Sequence, residues 1–566
     1  MRRIARNTRR VGALAGALAG LTLAASATPA TGSAGMQSIV MDDAEIVYAS
    51  PERLDATMAE LKAIGVDRVR VSVYWRLIAP QPERKERPSF GPAGPASPAG
   101  YPADHWDRYD RIVVSARKHG IGLLFSLTGP SPLWATGSPE RRDIEETYEP
   151  NPDDFRSFAE AVGRRYSGEY REETQAPPPS GGGGLLGGEP QQQPAPQGEL
   201  IPRVDTWSVW NEPNHPGWLT PQWLPDPRAA TLPLIPVAGR LYRGLVDAAW
   251  DGLARSGHAS DNILLGETAP RGHPQQGLTR AVRPLEFIRE LYCVDRRLRP
   301  YQGEDAQVRG CPGSRQAMVE QHPGLFASAG WAHHPYALEQ APGESDDHRD
   351  NAVLADTDRL VRTLDKILGQ HGQSKRFPIW MTEYGYQTDP PDPTLGIPWS
   401  RQAAYLNEAE HIAYRNPRIA SSAQFLLVDD GPLRQFEPSD PRYWGTFQSG
   451  LKTGAGRQKH AYAAYQRVID VTRRVRRGRS ARIFGQFRPA ADGEHLTARL
   501  EYRRRGSRRW SKVRTLSTTN PKGFLRTTHR PRGTGYYRLI WIEPGSGREL
   551  RTRSARVTVL RARARR

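Results

Sequence analysis

The sequence contains little cysteine: only Cys293 and Cys311 occur among its 566 residues. Neither has a histidine at metal-ligand spacing, which argues against a metal site or cysteine catalysis built on this pair. We expect the two to form one disulfide that closes a short loop, as is common in exported proteins. Long apolar runs are also scarce. After residue 27 no stretch approaches the ~18 apolar residues that span a bilayer, so we expect no transmembrane anchor.

The first 27 residues have the composition of a secretory signal peptide. A basic start that includes Arg9 and Arg10 precedes a short run rich in Ala, Gly and Leu, which extends to about Ala25. The sequence Ala25-Ser-Ala27 then supplies the small residues that a signal peptidase accepts. We therefore expect a secreted, extracellular protein, exported by the general route or, given the two arginines, by the twin-arginine route.

Basic residues are concentrated at the C-terminal end. Residues 471–566 contain 28 Lys and Arg against 5 Asp and Glu, a net charge of +23, whereas the remaining residues carry −4. Such a domain favours an anionic partner, and the alternative is an arginine-rich soluble domain without that role. Because the segment lacks interleaved aromatics and any nucleic-acid motif, we expect an anionic cell-envelope polymer as its partner, and no nucleic acid.

Strand-like and helix-like segments alternate from residue 39 to about 475. The predicted strands cover residues 39–48, 66–75, 121–127, 204–210, 262–266, 330–333, 377–382 and 421–428. Each precedes a segment with helical spacing of apolar residues. Eight strands, each followed by a helix, predict an α/β fold: a closed (β/α)8 TIM barrel over residues 36–472. The insertion near 175–197 is rich in Pro, Gly and Gln, and we expect it to be disordered.

The pattern changes after Arg479 to short alternating strands separated by turn residues. Their spacing is typical of a β-sandwich, so we predict an all-β, sandwich-like domain over residues 480–560. Arg473–Arg479 is the predicted linker, and residues 561–566 form a basic tail. Trp541 lies in an apolar strand of this domain and is predicted to be core rather than a ligand platform.

Two glutamates are predicted at the carboxyl ends of barrel strands. The strand Val204–Trp210 must stop at Asn211-Glu212-Pro213, because proline cannot donate to a sheet ladder. The strand Phe377–Thr382 runs directly into Glu383. In barrel enzymes the catalytic residues lie at this end of the strands. Hydrolysis of a glycosidic bond requires two carboxyl groups, and both are predicted here.

Further residues at other strand ends extend this pattern. His334-Pro335-Tyr336 follows the sixth strand, and Arg70 lies within the second. With Trp-Asn-Glu-Pro on strand four and Thr-Glu-Tyr-Gly on strand seven, residues 39–470 resemble the clan A glycoside hydrolases, close to the cellulase-like family 5 or a relative. The resemblance implies a glycosidase that acts on O-glycosyl compounds, with a carbohydrate substrate and no cofactor.

The same resemblance assigns roles to individual residues. It implies that Glu212 is the acid/base and Glu383 the nucleophile. Asn211 would bind the sugar 2-hydroxyl, Arg70 and Tyr336 would contact the nucleophile, and His334 would contact a substrate hydroxyl.

One position departs from the family pattern. Many relatives end strand eight with a sugar-stacking tryptophan, but here Leu426–Asp430 occupies that place, which makes Trp444 of the following loop the candidate replacement. Tryptophans near other predicted strand ends are further candidates for apolar sugar platforms: Trp75, Trp134, Trp210 and Trp331.

Two classes of function remain open at this point. The first is a secreted retaining glycosidase for β-linked glycans, acting as a monomer. The second is a non-catalytic carbohydrate- or envelope-binding protein on a glycosidase barrel. The presence of both Glu212 and Glu383 favours the enzyme. A metal site at His333-His334 is disfavoured, because adjacent strand residues point to opposite faces.

Overall fold

The computed structural model describes residues 33–171, 198–228, 233–490, 495–543 and 546–560. The predicted signal peptide, the predicted disordered insertion and the predicted basic tail lie outside these residues. No helix among the described residues combines the length and apolarity needed to cross a bilayer.

Eight parallel strands form a closed barrel. They are β1 Gln37–Met41, β2 Arg68–Tyr74, β3 Gly122–Thr128, β4 Thr206–Val209, β5 Asn262–Thr268, β6 Gly330–His333, β7 Ile379–Met381 and β8 Ile419–Phe425. Each pairs with the next, and β1 pairs with β8 to close the ring, with Gln37 opposite Ser421. The predicted (β/α)8 barrel is confirmed.

One helix follows each strand on the outside of the barrel. These are α1 Pro51–Ala63, α2 Asp107–His119, α3 Pro152–Arg165, α4 Ala238–Arg255, α5 Pro284–Leu291, α6 Thr357–Gln370, α7 Trp399–Arg415 and α8 His460–Gln466. Shorter helices lie in the connections: Asp43–Ile46, Trp75–Ile78, Gly303–Val308, Arg315–Gln321 and Pro323–Ala327.

Local sequence signals set the bounds of these helices. Asn151 caps α3: its side-chain oxygen accepts from the backbone N–H groups of Asp153 and Asp154 at 2.9 and 3.1 Å. Proline at the first helical position costs no hydrogen bond there. Gly120 ends α2 with φ +63°, a left-handed conformation that glycine adopts without strain.

The C-terminal region is all-β, as predicted, and consists of two packed sheets. Arg467–Val471, Ala481–Phe487 and Phe524–His529 form one sheet. The other contains Arg474–Arg476, Leu496–Arg504, Ser511–Thr518, Gly535–Ile542, Glu549–Arg551 and Ala555–Leu560. Leu500, Leu539 and Trp541 pack against Ile483 and Phe487 between the sheets, so Trp541 is a core residue, as expected.

The junction between the two regions differs from the sequence prediction. The predicted barrel extends to residue 472, but its last helix ends at Gln466, and Arg467–Val471 is already a sheet strand that pairs with Ala481–Phe487. The expected linker contains a strand as well, because Arg474–Arg476 pairs with Ala555–Leu560. The β-branched residues Val468, Ile469 and Val471 suit a strand, and pairing with Ala481–Phe487 stabilises it.

Cys293 and Cys311 form the predicted disulfide, 18 residues apart in sequence. It closes the loop that follows α5 on the outside of the barrel. Cys293 is buried, and its backbone carbonyl accepts from Tyr301 at 2.9 Å. The disulfide therefore stabilises the long connection from α5 to β6 and lies outside the barrel mouth.

Candidate active site

Both predicted glutamates lie at the carboxyl-terminal mouth of the barrel. Glu212 follows β4 and Glu383 follows β7. They line one cavity of about 680 Å³ together with Asn211 and Tyr336. A carboxylate oxygen of each glutamate and a ring nitrogen of His334 all lie within 4.8 Å of one another. The fold thus brings these five predicted residues together from three different strand ends.

The backbone is strained at this mouth. Four bulky residues have positive φ: Trp210 (+64°), Glu212 (+36°), Glu267 (+44°) and Leu426 (+71°). Such conformations cost about 1–3 kcal/mol each and persist only where the surroundings hold them. Here the Trp210 N–H donates to the Leu127 carbonyl at 2.7 Å, and the Glu212 N–H donates to the Glu267 carbonyl at 2.9 Å. The strain turns the side chains after β4 and at the end of β5 into the site.

Glu383 is held by a donor on each of its oxygens. Arg70 donates from Nη1 to Oε1 at 2.8 Å, and the Tyr336 hydroxyl donates to Oε2 at 3.0 Å. Arg70 is fully buried and also donates from Nη2 to Asn211 Oδ1 at 2.7 Å, which leaves the Asn211 amide nitrogen as the donor for a ligand. Burial raises the pKa of Glu383, against the opposing charges of His334 and Arg70. The contacts that the resemblance implied for Arg70 and Tyr336 are present.

His334 lies between three carboxylates. Its Nδ1 is 2.9 Å from Glu212 Oε1 and 3.5 Å from Glu383 Oε2, and its Nε2 is 2.7 Å from Glu267 Oε2. Burial alone would lower the pKa of His334, but the three carboxylates raise it to about 10. At neutral pH both ring nitrogens therefore carry protons and donate to carboxylates. The resemblance implied that His334 contacts a substrate hydroxyl, but in this arrangement neither of its ring nitrogens is free to do so.

Glu212 is the most open of these groups, since its side chain is 18% exposed against 8% for Glu383 and 0% for His334. From the sequence, apolar walls are expected to raise the pKa of Glu212. Burial does act in that direction, but the hydrogen bond and charge of His334 outweigh it and hold the pKa below its ordinary value. Glu212 and His334 therefore share a proton across the 2.9 Å hydrogen bond, and at neutral pH it lies on the imidazole.

Glu267 is a site residue that the sequence reasoning missed. It lies near the end of β5, is fully buried, and accepts from Arg70 Nε at 3.3 Å and from the Thr382 hydroxyl. Burial opposes its ionisation, but Arg70 and His334 lower the pKa of Glu267 to about 2. The available signal was an acid one residue beyond the apolar run Ile263–Leu265, just as Glu383 stands one residue beyond Ile379–Met381.

The aromatic walls of the cavity also differ from expectation. Trp75, Trp210 and Trp331 are fully buried core residues, and Trp134 is nearly so. Strand β8 ends at Phe425, earlier than predicted, and Phe425 lines the cavity together with Phe447, Tyr74 and Trp218. Trp444 instead lines a neighbouring cavity. An aromatic residue therefore does stand at the end of β8, but it is Phe425.

Glu212, His334 and Glu383 are also, among the described residues, the one set of three ligand-type side chains close enough to hold a metal ion. With a pKa of about 10, however, His334 carries a proton on Nδ1 at neutral pH, and a metal would have to displace it. The adjacent His333 turns elsewhere, bonding Thr268 and the Ala352 carbonyl at 2.8 and 2.7 Å. The Nδ1 proton instead holds His334 on Glu212, at 2.9 Å.

Comparison with solved structures finds glycoside hydrolases at low similarity. A protein described as a glycoside hydrolase has 8% identity and a TM-score of 0.37, covering 88% of this chain and 89% of that one. A family 5 glycoside hydrolase from Bacteroides vulgatus ATCC 8482 has 8% identity and a TM-score of 0.38, covering 88% and 90%. An aphid myrosinase has 12% identity and a TM-score of 0.40, covering 76% and 97%.

Sequence comparisons add nothing to this list: no protein-family model matches the chain, and no curated protein is similar to it. The similar structures are of the kind that the sequence motifs resemble. With identities of 8–12% and TM-scores of 0.40 and below, they carry no conclusion about activity.

Proposed function

We propose that this protein is a secreted, retaining glycoside hydrolase that cleaves β-linked glycans, with Glu212 as acid/base and Glu383 as nucleophile. The supporting observation is the short separation of the two carboxylates, which have oxygens within 4.8 Å of each other and of His334. Retaining enzymes hold their carboxyl groups ~5–5.5 Å apart, whereas inverting enzymes leave ~6.5–9.5 Å for a water molecule.

The roles follow from the partners of each carboxylate. Glu383, fixed on both oxygens by Arg70 and Tyr336, attacks the anomeric carbon and forms a glycosyl ester while the bond to the leaving oxygen breaks. Glu212, the more open group, gives that oxygen its proton. In the second step Glu212 takes a proton from water, the hydroxyl oxygen bonds to the anomeric carbon, and the ester to Glu383 breaks.

His334 supplies the proton to Glu212 in this scheme. Transfer across the 2.9 Å hydrogen bond leaves a neutral imidazole whose Nε2–H still donates to Glu267. Glu267 is ionised through the whole neutral range, since its pKa is about 2, and it keeps the imidazole oriented during the exchange. The buried Glu267 therefore acts on the reaction through His334, as a positioning residue.

Replacing His334 with Gln is expected to move the alkaline limit of activity to lower pH. A group with a raised pKa keeps its proton below that pKa and loses it as the pH rises through it, so the wild-type pair stays protonated well above neutrality. In the variant Glu212 alone must hold the proton. We expect the alkaline limb of the kcat/KM profile to shift down by about one pH unit or more. His119→Gln, on the outside of the barrel, is the matched control, and an unchanged limb in His334→Gln contradicts proton storage on the pair.

The proposed function is tested by the stereochemistry of the first product. Incubation with a panel of aryl β-glycosides and soluble β-glycans is expected to release sugar with the β configuration, observed by proton NMR before mutarotation. Retention is expected because the two carboxylates lie within 4.8 Å of each other, whereas inverting enzymes hold theirs ~6.5–9.5 Å apart. An α product at first appearance would establish inversion and refute the assignment of Glu383 as nucleophile.

We further propose that the C-terminal sandwich holds the enzyme on an anionic cell-envelope polymer. Supporting this, residues 471–566, which include most of the sandwich, carry a net charge of +23, against −4 for the rest of the chain. The turn between Leu496–Arg504 and Ser511–Thr518 exposes Arg505, Arg508 and Arg509. Charge attraction of this kind releases counterions on binding, so it weakens steeply with salt.

Retention on intact cells or on immobilised teichoic acid is expected to fall as NaCl rises from 50 to about 500 mM. Changing Arg505, Arg508 and Arg509 to Gln should reduce retention at low salt by severalfold without lowering hydrolysis of a small soluble glycoside. The matched control removes three exposed arginines from the barrel: Arg117, Arg362 and Arg376. If the amount of enzyme bound to cells changes neither with salt nor with the sandwich substitutions, attachment by charge is contradicted.

A further inference from the structure

The six-stranded sheet of the sandwich carries a row of alternating aromatic and arginine side chains. Tyr536 lies directly opposite Arg503 on one neighbouring strand and opposite Arg556 on the other. Trp510 stands beside Arg503 from the far side, one residue before the paired residue Ser511. The row therefore crosses four adjacent chain segments in the order Trp, Arg, Tyr, Arg. Neighbouring strands are ~4.8 Å apart, so the row is about 14 Å long.

The row lies on the outer face of the sheet. Tyr537, the residue after Tyr536, is fully buried between the two sheets, and so is Val557, the residue after Arg556. Successive strand residues point to opposite faces, so Tyr536 and Arg556 point away from the core. Arg556 is exposed, and the other three members of the row are half-buried. The row therefore faces solvent, and it lies beside the basic turn of residues 505–509.

Arg503 connects the two rings of the row. Its guanidinium carbon lies 5.0 Å from the ring centroid of Trp510 and 5.2 Å from that of Tyr536. Arg538 also stacks on Trp510, at 4.3 Å, but its charge is compensated by Glu501 at 2.7 Å. Stacking on a ring fixes the plane of a guanidinium and leaves its N–H edge for a ligand. The two rings thus hold Arg503 in one orientation.

The charges of Arg503 and Arg556 are not compensated by the described residues. Neither side chain forms an ion pair in the described part of the chain, and the enclosed Nε of Arg503 has no hydrogen-bond partner there. Other arginines on the same face differ, because Arg499 and Arg551 both pair with Glu549, at 3.4 and 2.7 Å. Two guanidinium groups, two strand spacings or ~10 Å apart, are therefore left to bind anions.

We propose that this row is the element of the sandwich that binds the anionic polymer, with Arg503 and Arg556 each holding one anionic group of an extended chain. The inference rests on the proposed attachment to an anionic envelope polymer, whose site it specifies, and it does not depend on glycosidase activity. The ligand is a hydrophilic chain that bears phosphate or carboxylate groups along its length, since both groups match the planar guanidinium fork.

The stacked arginines distinguish this partner from two others that use aromatic surfaces. Neutral glycans pack on open indole faces, and single-stranded nucleic acids stack their bases on open rings. In the row a guanidinium already occupies a face of each ring: Arg503 lies over both rings, and Arg538 lies over Trp510 as well. The rings therefore position arginines, and charge and hydrogen bonds supply the contacts to the ligand.

The experiment measures binding of the full chain to immobilised poly(glycerol phosphate) and polygalacturonate, which carry phosphate and carboxylate groups respectively. The double variant Arg503→Gln/Arg556→Gln removes both charges of the row. We expect it to bind about tenfold more weakly at 50 mM NaCl. The slope of log affinity against log salt concentration should fall by about two, one for each lost ion contact.

The matched control is Arg415→Gln/Arg482→Gln. It removes two exposed arginines that line the cavity between α7 and the sandwich and that also lack an ion pair among the described residues. The change in net charge is identical, but we expect the affinity and the salt slope to stay close to those of the wild type. The comparison therefore separates a specific site from the general effect of net charge.

Arg503→Lys separates the stacking of the guanidinium from its charge. Lysine keeps the charge but has no planar group to lie along the two rings, so we expect about threefold weaker binding with an unchanged salt slope. Thermal unfolding by circular dichroism checks that each variant is folded. If the double variant fails to fold, the single variant Arg556→Gln, at an exposed position, carries the test, with an expected fall in slope of about one.

The outcomes separate this inference from the proposals on which it rests. Equal weakening in the row variant and its control, or unchanged binding in the row variant, overturns the row as a site and leaves attachment by charge intact. If the wild type binds neither polymer, both the attachment and the row are contradicted, whereas hydrolysis of small aryl glycosides tests the glycosidase separately. Binding of one polymer only supports the row and identifies its anionic group. Tighter binding of a neutral β-glucan, or of single-stranded DNA of equal charge, would contradict it.

Discussion

Replacing Glu383 with Gln is expected to abolish turnover of every glycoside, lowering kcat by about 10⁴-fold or more. The amide has the same shape and can still occupy the position beside Arg70 and Tyr336, but it cannot form a glycosyl ester. Because no covalent intermediate forms, the loss should not depend on the leaving group. The measurement is kcat for aryl β-glycosides whose phenols span a wide pKa range.

The control for this substitution is Glu320→Gln, an identical change on an exposed helix outside the barrel mouth. Binding should survive in Glu383→Gln, which titration calorimetry with an oligosaccharide can show. If turnover persists in the variant, Glu383 is not the nucleophile. If the wild type binds glycans but never cleaves them, the result contradicts the proposed function and favours the alternative of a non-catalytic binding protein.

Replacing Glu212 with Gln is expected to have an effect that depends on the leaving group. A 2,4-dinitrophenolate leaves without protonation, so its release should slow little, whereas an unactivated alkyl or sugar leaving group should slow by about 10²–10⁴-fold. Hydrolysis of the covalent intermediate also loses its base, so the intermediate should accumulate with activated substrates. A burst of phenol in rapid-mixing experiments measures that accumulation.

The contrast between the two substitutions is the informative result. His334 remains in place in Glu212→Gln, but the amide cannot deliver a proton to the leaving oxygen. Equal losses for activated and unactivated glycosides in both variants would contradict the separate roles assigned to Glu212 and Glu383. A smaller loss for Glu383→Gln than for Glu212→Gln with activated substrates would reverse the assignment.

The barrel could be predicted because its signals are local. Caps such as Asn151, helix ends such as Gly120 and eight apolar strand segments each specify one element, and eight repeats of strand and helix match the count of a closed barrel. The position of Glu212 and Glu383 at the barrel mouth was predictable for the same reason, since each follows the end of a strand by no more than three residues. The carboxyl ends of all strands meet at one mouth, so position in the sequence was enough.

Other parts of the site depend on contacts between distant segments. Glu267 follows Gly266, where glycine indicates a strand end, although the strand continues through Thr268. The pKa of Glu212 depends on His334, 122 residues away, whose charge outweighs the burial that the sequence could indicate. Long loops place Phe447 at the active-site cavity and Trp444 at its neighbour, and no periodic pattern specifies loop geometry.

No linker residue separates the last helix of the barrel from the first strand of the sandwich. Helix α8 ends at Gln466 and the first sandwich strand begins at Arg467. His411 of α7 stacks on Phe484 at 4.6 Å, and Arg488 forms a buried ion pair with Glu410. Where the sandwich holds a polymer in the proposed manner, the catalytic cleft is set at one height and angle above that surface. Each bound enzyme molecule can then reach only a few glycosidic bonds. Further cleavage requires the molecule to dissociate and to bind the surface at another position. The dissociation rate, rather than the chemistry, would limit the yield per enzyme on a surface.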